Sequence, residues 1–144
     1  MELTYENMMD HIEKYFAILP SIDSKADPGI VDKIKEFFTP DFKIHWADPP
    51  KVSNREQWVE YLCGHADIYR ARVIYQPAPW YFMIDERKKM ADGLVKEELL
   101  HPVTGEVIGM LLLNEHLEFT LVEGAVKVRY QIITHIPNKI FASR

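Results

Sequence analysis

The feature that most constrains this chain is a change of character near residue 70. Before it, apolar residues recur at helical spacing; after it, β-branched and aromatic residues fill long runs cut by turn signals. The signals are Asp92-Gly93, Pro102-Val103-Thr104-Gly105 and Glu123-Gly124. They divide the second half into four expected strands, 80–91, 94–101, 107–121 and 125–135, joined as an antiparallel meander. Strands of ten or more residues must twist and coil, so the sheet has a concave face.

Three amphipathic helices are available to cover that face. The first runs from Tyr5 to Leu19, with Thr4 as N-cap, Pro20 as stop and Met8, Met9, Ile12, Tyr15 and Phe16 on one side. The second opens on Asp27-Pro28 and ends at Thr39-Pro40; after a short strand from Phe42 to Trp46, the third opens at Ser53, with Glu56 at the capping-box spacing. The expected architecture is α+β: three N-terminal helices packed on a strongly curved antiparallel sheet, forming a cone with an internal pocket. With 144 residues, no linker and no repeat, residues 1–144 read as one domain.

Composition narrows the partners. A net charge of -5 with scattered Lys and Arg lacks the basic footprint that nucleic acid requires. The one basic run, Arg87-Lys88-Lys89, reads as a solvated strand end. No stretch is apolar enough for a membrane span and no secretory leader is recognisable, so the expected location is cytoplasmic. The lone Cys63 agrees with a reducing compartment and reads as a small core residue. The histidine spacing matches no metal-ligand pattern, and phosphate loops and nucleophile elbows are missing, so neither metal nor cofactor is expected.

Alternation along 107–121 separates two faces. One carries Leu111, Leu113, Glu115, Leu117 and Phe119, with Glu115 its sole charge. An isolated carboxylate there must pair, protonate or face a wet cavity, and the last two outcomes suit a general acid or base. Pairing with Arg129 or Lys96, or a bulge, is the structural alternative. His116 shares the other face with Ile108, Met110, Leu112, Asn114 and Glu118, too apolar a surface to leave bare, which favours a homodimer through the open sheet face. Asp48, ahead of Pro49, is either a simple turn residue or a side chain aimed along the strand mouth. Trp46, Trp58, Trp80, Tyr81 and Phe82, with Leu113 and Tyr130, could wall a small-molecule pocket or be plain core.

Several segments together resemble the nuclear transport factor 2-like superfamily, with its cystatin-like fold, and especially its SnoaL-like and ketosteroid-isomerase-like members. They are Glu13-Lys14-Tyr15, Phe38-Thr39-Pro40-Asp41-Phe42, Ala47-Asp48-Pro49 with Asn54-Arg55-Glu56-Gln57-Trp58, and the terminal hairpin from Phe119 to Val128. The resemblance implies that Asp48 is a proton-moving aspartate and Tyr15 an oxyanion-stabilising tyrosine, with Glu115 or His116 as a further polar pocket residue. Two functions follow as expectations: a cofactor-free isomerase, cyclase or dehydratase acting on a small hydrophobic or cyclic substrate, or a non-catalytic ligand-binding or dimeric interaction domain.

Overall fold

The structure is a computed structural model and describes residues 2–47, 50–74 and 82–136. Helix α1 spans Tyr5–Ile18, capped by Thr4, whose hydroxyl accepts from the Asn7 N–H while the Asn7 side chain accepts from the Thr4 N–H. A 3-10 turn at Leu19–Ser21 follows. Helix α2 is short, Ile30–Lys35, with Gly29 rather than Asp27 as its N-cap. It stops well before Thr39-Pro40, because strand β1 occupies Phe38–Ala47. Strand β2, Pro50–Asn54, leads into helix α3, Arg55–His65. The α3 cap is Asn54, boxed with Gln57, one residue beyond the expected Ser53 and Glu56.

The remaining strands are β3 Arg70–Ile74, β4 Phe82–Asp85, β5 Met90–Leu100, β6 Val107–Val122 and β7 Ala125–His135. They form one curved, unclosed sheet in the order β2-β1-β7-β6-β5-β3, with β4 also paired to β5. The sheet is mixed rather than wholly antiparallel, since β1 runs parallel to β7. The Asp92-Gly93 turn is also corrected: both residues lie inside β5, opposite Met83 and Phe82. The reversal falls instead at Glu86 to Lys89, where the Asp85 carboxylate accepts from the Lys88 N–H and Lys89 takes φ 59°. The basic run is therefore the turn.

The concave face is apolar. Ala91 and Val95 of β5, Leu113, Leu117 and Phe119 of β6, and Phe38, Phe42 and Ile44 of β1 pack there against Met8, Ile12, Tyr15 and Phe16 of α1 and Trp58 and Val59 of α3. A bulge in β7 governs which residues join them. Glu118 pairs with Tyr130 but Phe119 pairs with Val128, so Arg129 is an extra residue. Val128 points inward before it, and Gln131 and Ile133 point inward after it. No helix among the described residues is long and apolar enough to cross a membrane.

The cap assignment is testable by thermal denaturation. Asn54→Ala is expected to cost about 1 kcal/mol, lowering Tm by ~3 °C, while Glu56→Ala leaves Tm unchanged. Equal losses at both positions would refute the Asn54–Gln57 box.

Candidate functional site

A cavity of about 110 Å³ opens between the concave face of the sheet and helices α1 and α3. Strands β5, β6 and β7 contribute its polar floor. Alternation along β6 brings Leu111, Leu113 and Glu115 into it, and β5 contributes Glu97, which sits opposite Leu111. The bulge in β7 turns Gln131 toward Glu115, and the Gln131 Nε2–H donates to Glu115 Oε1 at 2.6 Å. Both residues are almost fully buried, at 3% and 1% exposure. Glu115 thus has neither expected cation as partner: Arg129 binds Glu118 on the far side of the sheet.

The cavity holds two carboxyls and one amide at its floor. Burial, reinforced by the charge of Glu97 and opposed by the Gln131 hydrogen bond, pushes the Glu115 carboxyl up to about 8. Burial alone pushes Glu97 up to about 7. At neutral pH the pair keeps at least part of its proton complement, so the floor can both donate and accept protons. Among the described residues Gln131 Oε1 has no hydrogen-bond partner, which leaves one buried acceptor at the floor.

The roof is aromatic. Tyr15, buried on α1, takes a hydrogen bond on its phenol oxygen from the Trp58 Nε1–H at 3.3 Å. Burial, together with the nearby charges of Glu115 and Glu97, raises its ionisation well above the ordinary tyrosine range despite that bond, so the phenol is a neutral hydrogen-bond donor. Trp46 stands edge-on to Trp58 with centroids 4.7 Å apart, and Tyr61 stacks on Trp58 at 5.5 Å. Capping of α3 by Asn54 sets the turn from which Trp58 and Tyr61 project.

Of the residues singled out in the sequence, Tyr15, Glu115, Trp46, Trp58 and Leu113 line this cavity together. Others lie elsewhere. His116 projects from the opposite face of β6, where its ring nitrogens meet Asp92 at 2.7 Å and Glu118 at 3.1 Å. Burial opposes its charge, but the two carboxylates outweigh that and raise its protonation. Tyr130 is on that outer face too, its ring 5.2 Å from His45 and 6.4 Å from His116. The bulge explains why: it gives Gln131, not Tyr130, the inward position. Phe82 is fully buried against Phe16, in the core beside the cavity rather than on its wall. Asp48, Trp80 and Tyr81 lie outside the described residues.

Glu97, Gln131, Tyr61, Tyr69 and His135 are cavity residues that sequence reasoning passed over. For Glu97 the signal was present, because Ala91, Val95 and Glu97 alternate on one face as do Leu113, Glu115 and Leu117. For Gln131 there was none without the bulge. Among the described residues, no group of three or more His, Cys, Asp or Glu side chains is arranged to hold a metal ion.

No protein-family model matches the chain, and no curated protein matches it in sequence. Solved structures do. BvnE pinacolase from Penicillium brevicompactum superposes with a TM-score of 0.69 at 12% identity, over 99% of this chain and 93% of its own. AusH from Aspergillus nidulans gives 0.65 at 12% identity, over 92% and 86%. An NTF2-like protein with a cystatin-like fold from Novosphingobium aromaticivorans gives 0.64 at 12% identity, over 96% and 85%. At such identities the likeness is one of fold: the chain has a cystatin-like fold, as the NTF2-like protein just described does.

Proposed function

We propose that this protein is a cofactor-free acid/base enzyme of the isomerase, cyclase or dehydratase kind, acting on a small, largely apolar substrate held against Glu97, Glu115 and Tyr15. The observation that carries the reading is the pair of buried carboxyls in one aromatic-walled cavity, neither neutralised by a cation among the described residues. With both carboxyls raised toward neutral pH, the one that is ionised is the base that takes a proton from carbon or oxygen, and the one still protonated is the acid that returns one. The Tyr15 phenol, its oxygen fixed by Trp58, donates to the negative charge that develops between them. Gln131 suits both states of Glu115, because its Nε2–H can serve the carboxylate and its Oε1 the protonated acid. That a pinacolase shares the fold is in keeping with small-molecule chemistry on this scaffold.

A non-catalytic binding domain is the alternative, and the modest volume of about 110 Å³ favours it. Under either reading we propose a homodimer. On the outer face Leu94 and Ile108 are 52% and 53% exposed and Met110 is 43% exposed, next to a mixed-charge strip of Asp92, His116, Glu118 and Arg129. A second copy related by a two-fold axis covers the apolar strip while bringing charges of both signs together. Light scattering at micromolar concentration should give twice the chain mass, and Ile108→Glu should return the monomer; a wild-type monomer refutes the dimer. The lone Cys63 fits a cytoplasmic setting.

Two further outcomes are expected. Solvent-deuterium incorporation into a panel of small cyclic ketones, followed by NMR, should show a bell-shaped rate that rises through about pH 7 and falls beyond about pH 8. Glu97→Gln and Glu115→Gln should each lower that rate on the order of 10²-fold or more, and Tyr15→Phe about tenfold. Carbon-13 titration of the two carboxyls tests the premise directly, and midpoints near 4.5 at both would sink the enzyme reading.

Stability provides the second outcome. A carboxyl raised on folding keeps its proton in the native state after the unfolded chain has lost its own, so stability falls as pH climbs from about 4.5 to about 8. Wild-type Tm should therefore drop across that window, by an amount reflecting on the order of a few kcal/mol. Glu115→Gln should flatten the decline and exceed wild type at pH 9; an unchanged profile would contradict burial of an ionisable Glu115.

A further inference from the structure

Beside the main cavity lies a second lobe of about 40 Å³, and the two share Leu19, Tyr61, Leu62, Tyr69 and Ala71 as walls. Tyr61 and Tyr69, whose phenol oxygens lie 3.5 Å apart, line both lobes. The second lobe differs from the first in chemistry. Arg70 and His65 line it, whereas the first lobe carries the two acids.

Arg70 is incompletely used. Its Nη2 lies 3.5 Å from Asp23, while its Nε–H is buried and, among the described residues, without a partner. A buried guanidinium donor left open costs free energy that an incoming acceptor recovers, and the guanidinium edge matches a carboxylate in geometry. His65 is held in place by its Nδ1–H donating to the Tyr61 carbonyl at 2.9 Å, and its ring lies on Tyr61 with centroids 4.1 Å apart. With that proton on Nδ1, its Nε2 donates to a ligand only when the ring carries a second proton.

Size and charge then act together. The main lobe, at about 110 Å³, is smaller than the ~150 Å³ cavity that takes up benzene, so a ring-sized molecule with a substituent extends into its neighbour. An anionic substituent meets two carboxyls at the floor of the first lobe and a guanidinium in the second. The geometry points to a substrate that is a small acid: an apolar, ring-sized body beside Glu97 and Glu115, and a carboxylate anchored on Arg70, with the His65 ring beside it. This rests on the acid/base reading of the main lobe for its orientation, though the anion subsite itself does not.

The test compares benzoate with benzamide, a neutral molecule of the same shape, at pH 6 by NMR titration of wild-type protein. Benzoate should bind about tenfold or more tightly and shift the signals of His65, Arg70 and Ala71. Arg70→Met should abolish the preference, Arg70→Lys should keep part of it, and thermal melts should confirm that both variants fold. Equal binding of the two probes, no benzoate binding at millimolar concentration, shifts centred elsewhere, or an undiminished preference in Arg70→Met would each overturn the subsite. The wild-type comparison decides the matter even if Arg70→Met unfolds. Glu115→Gln separates the two claims: it should abolish proton exchange while leaving the benzoate preference intact. Should exchange fail to depend on Glu115 while that preference persists, the acid/base reading falls and the subsite stands.

Discussion

The hydrogen bond from Gln131 to Glu115 depends on one extra residue in a strand. Without the bulge at Arg129, strict alternation along β7 would turn Gln131 outward and Tyr130 inward, and Glu115 would face the apolar interior alone. A bulge costs a ladder hydrogen bond and bends the strand. Here it also re-aims a side chain, giving a buried acid a neutral partner that leaves its proton free. A cation in the same place would hold Glu115 ionised and low; an amide leaves burial in control, and the carboxyl rises to about 8.

The same strand separates two faces of the sheet that differ in how their charges are compensated. Outward of β6, His116 is clamped between Asp92 and Glu118, and Arg129 completes the neutralisation of Glu118. Inward, no cation meets either acid among the described residues. Charges that neutralise one another in solvent, within a single strand's width of charges left uncompensated in the core, mark a difference in role. The outer network can exchange partners with water or a second subunit at small cost. The inner pair cannot, and its protonation is coupled to whatever occupies the cavity.

How much of this was legible in the sequence depends on which period each element obeys. Glu115 was legible because β6 alternates from Gly109 to Phe119, and one charge on its apolar face breaks the pattern. Helix α1 was legible because Thr4 and Pro20 bound a clean helical stripe. Where alternation breaks, the reading broke with it. Tyr130 was expected at the pocket and Gln131 was overlooked, since one unannounced residue inverts the strand. Asp92-Gly93 has the form of a turn, yet the true reversal uses Asp85 as acceptor and Lys89 in the left-handed region, a choice set by pairing of Phe82 and Met83 with β5. The parallel contact between β1 and β7 is a long-range fact with no local signal.

Retaining two buried acids in one cavity is the hardest feature to reconcile with a purely structural domain. Each raised carboxyl is a site where the folded state is less stable at neutral or higher pH than it would be with an amide. Gln would fill nearly the same volume at 97 or 115 and keep the hydrogen-bonding capacity, so packing does not require the acids. Nor does ligand recognition in general, for which aromatic walls such as Trp46, Trp58 and Tyr61 already supply shape and area. What Gln cannot do is lose a proton. The property that distinguishes Glu97 and Glu115 from their neutral isosteres is proton exchange near neutral pH, and that difference is the physical ground for the acid/base function proposed above.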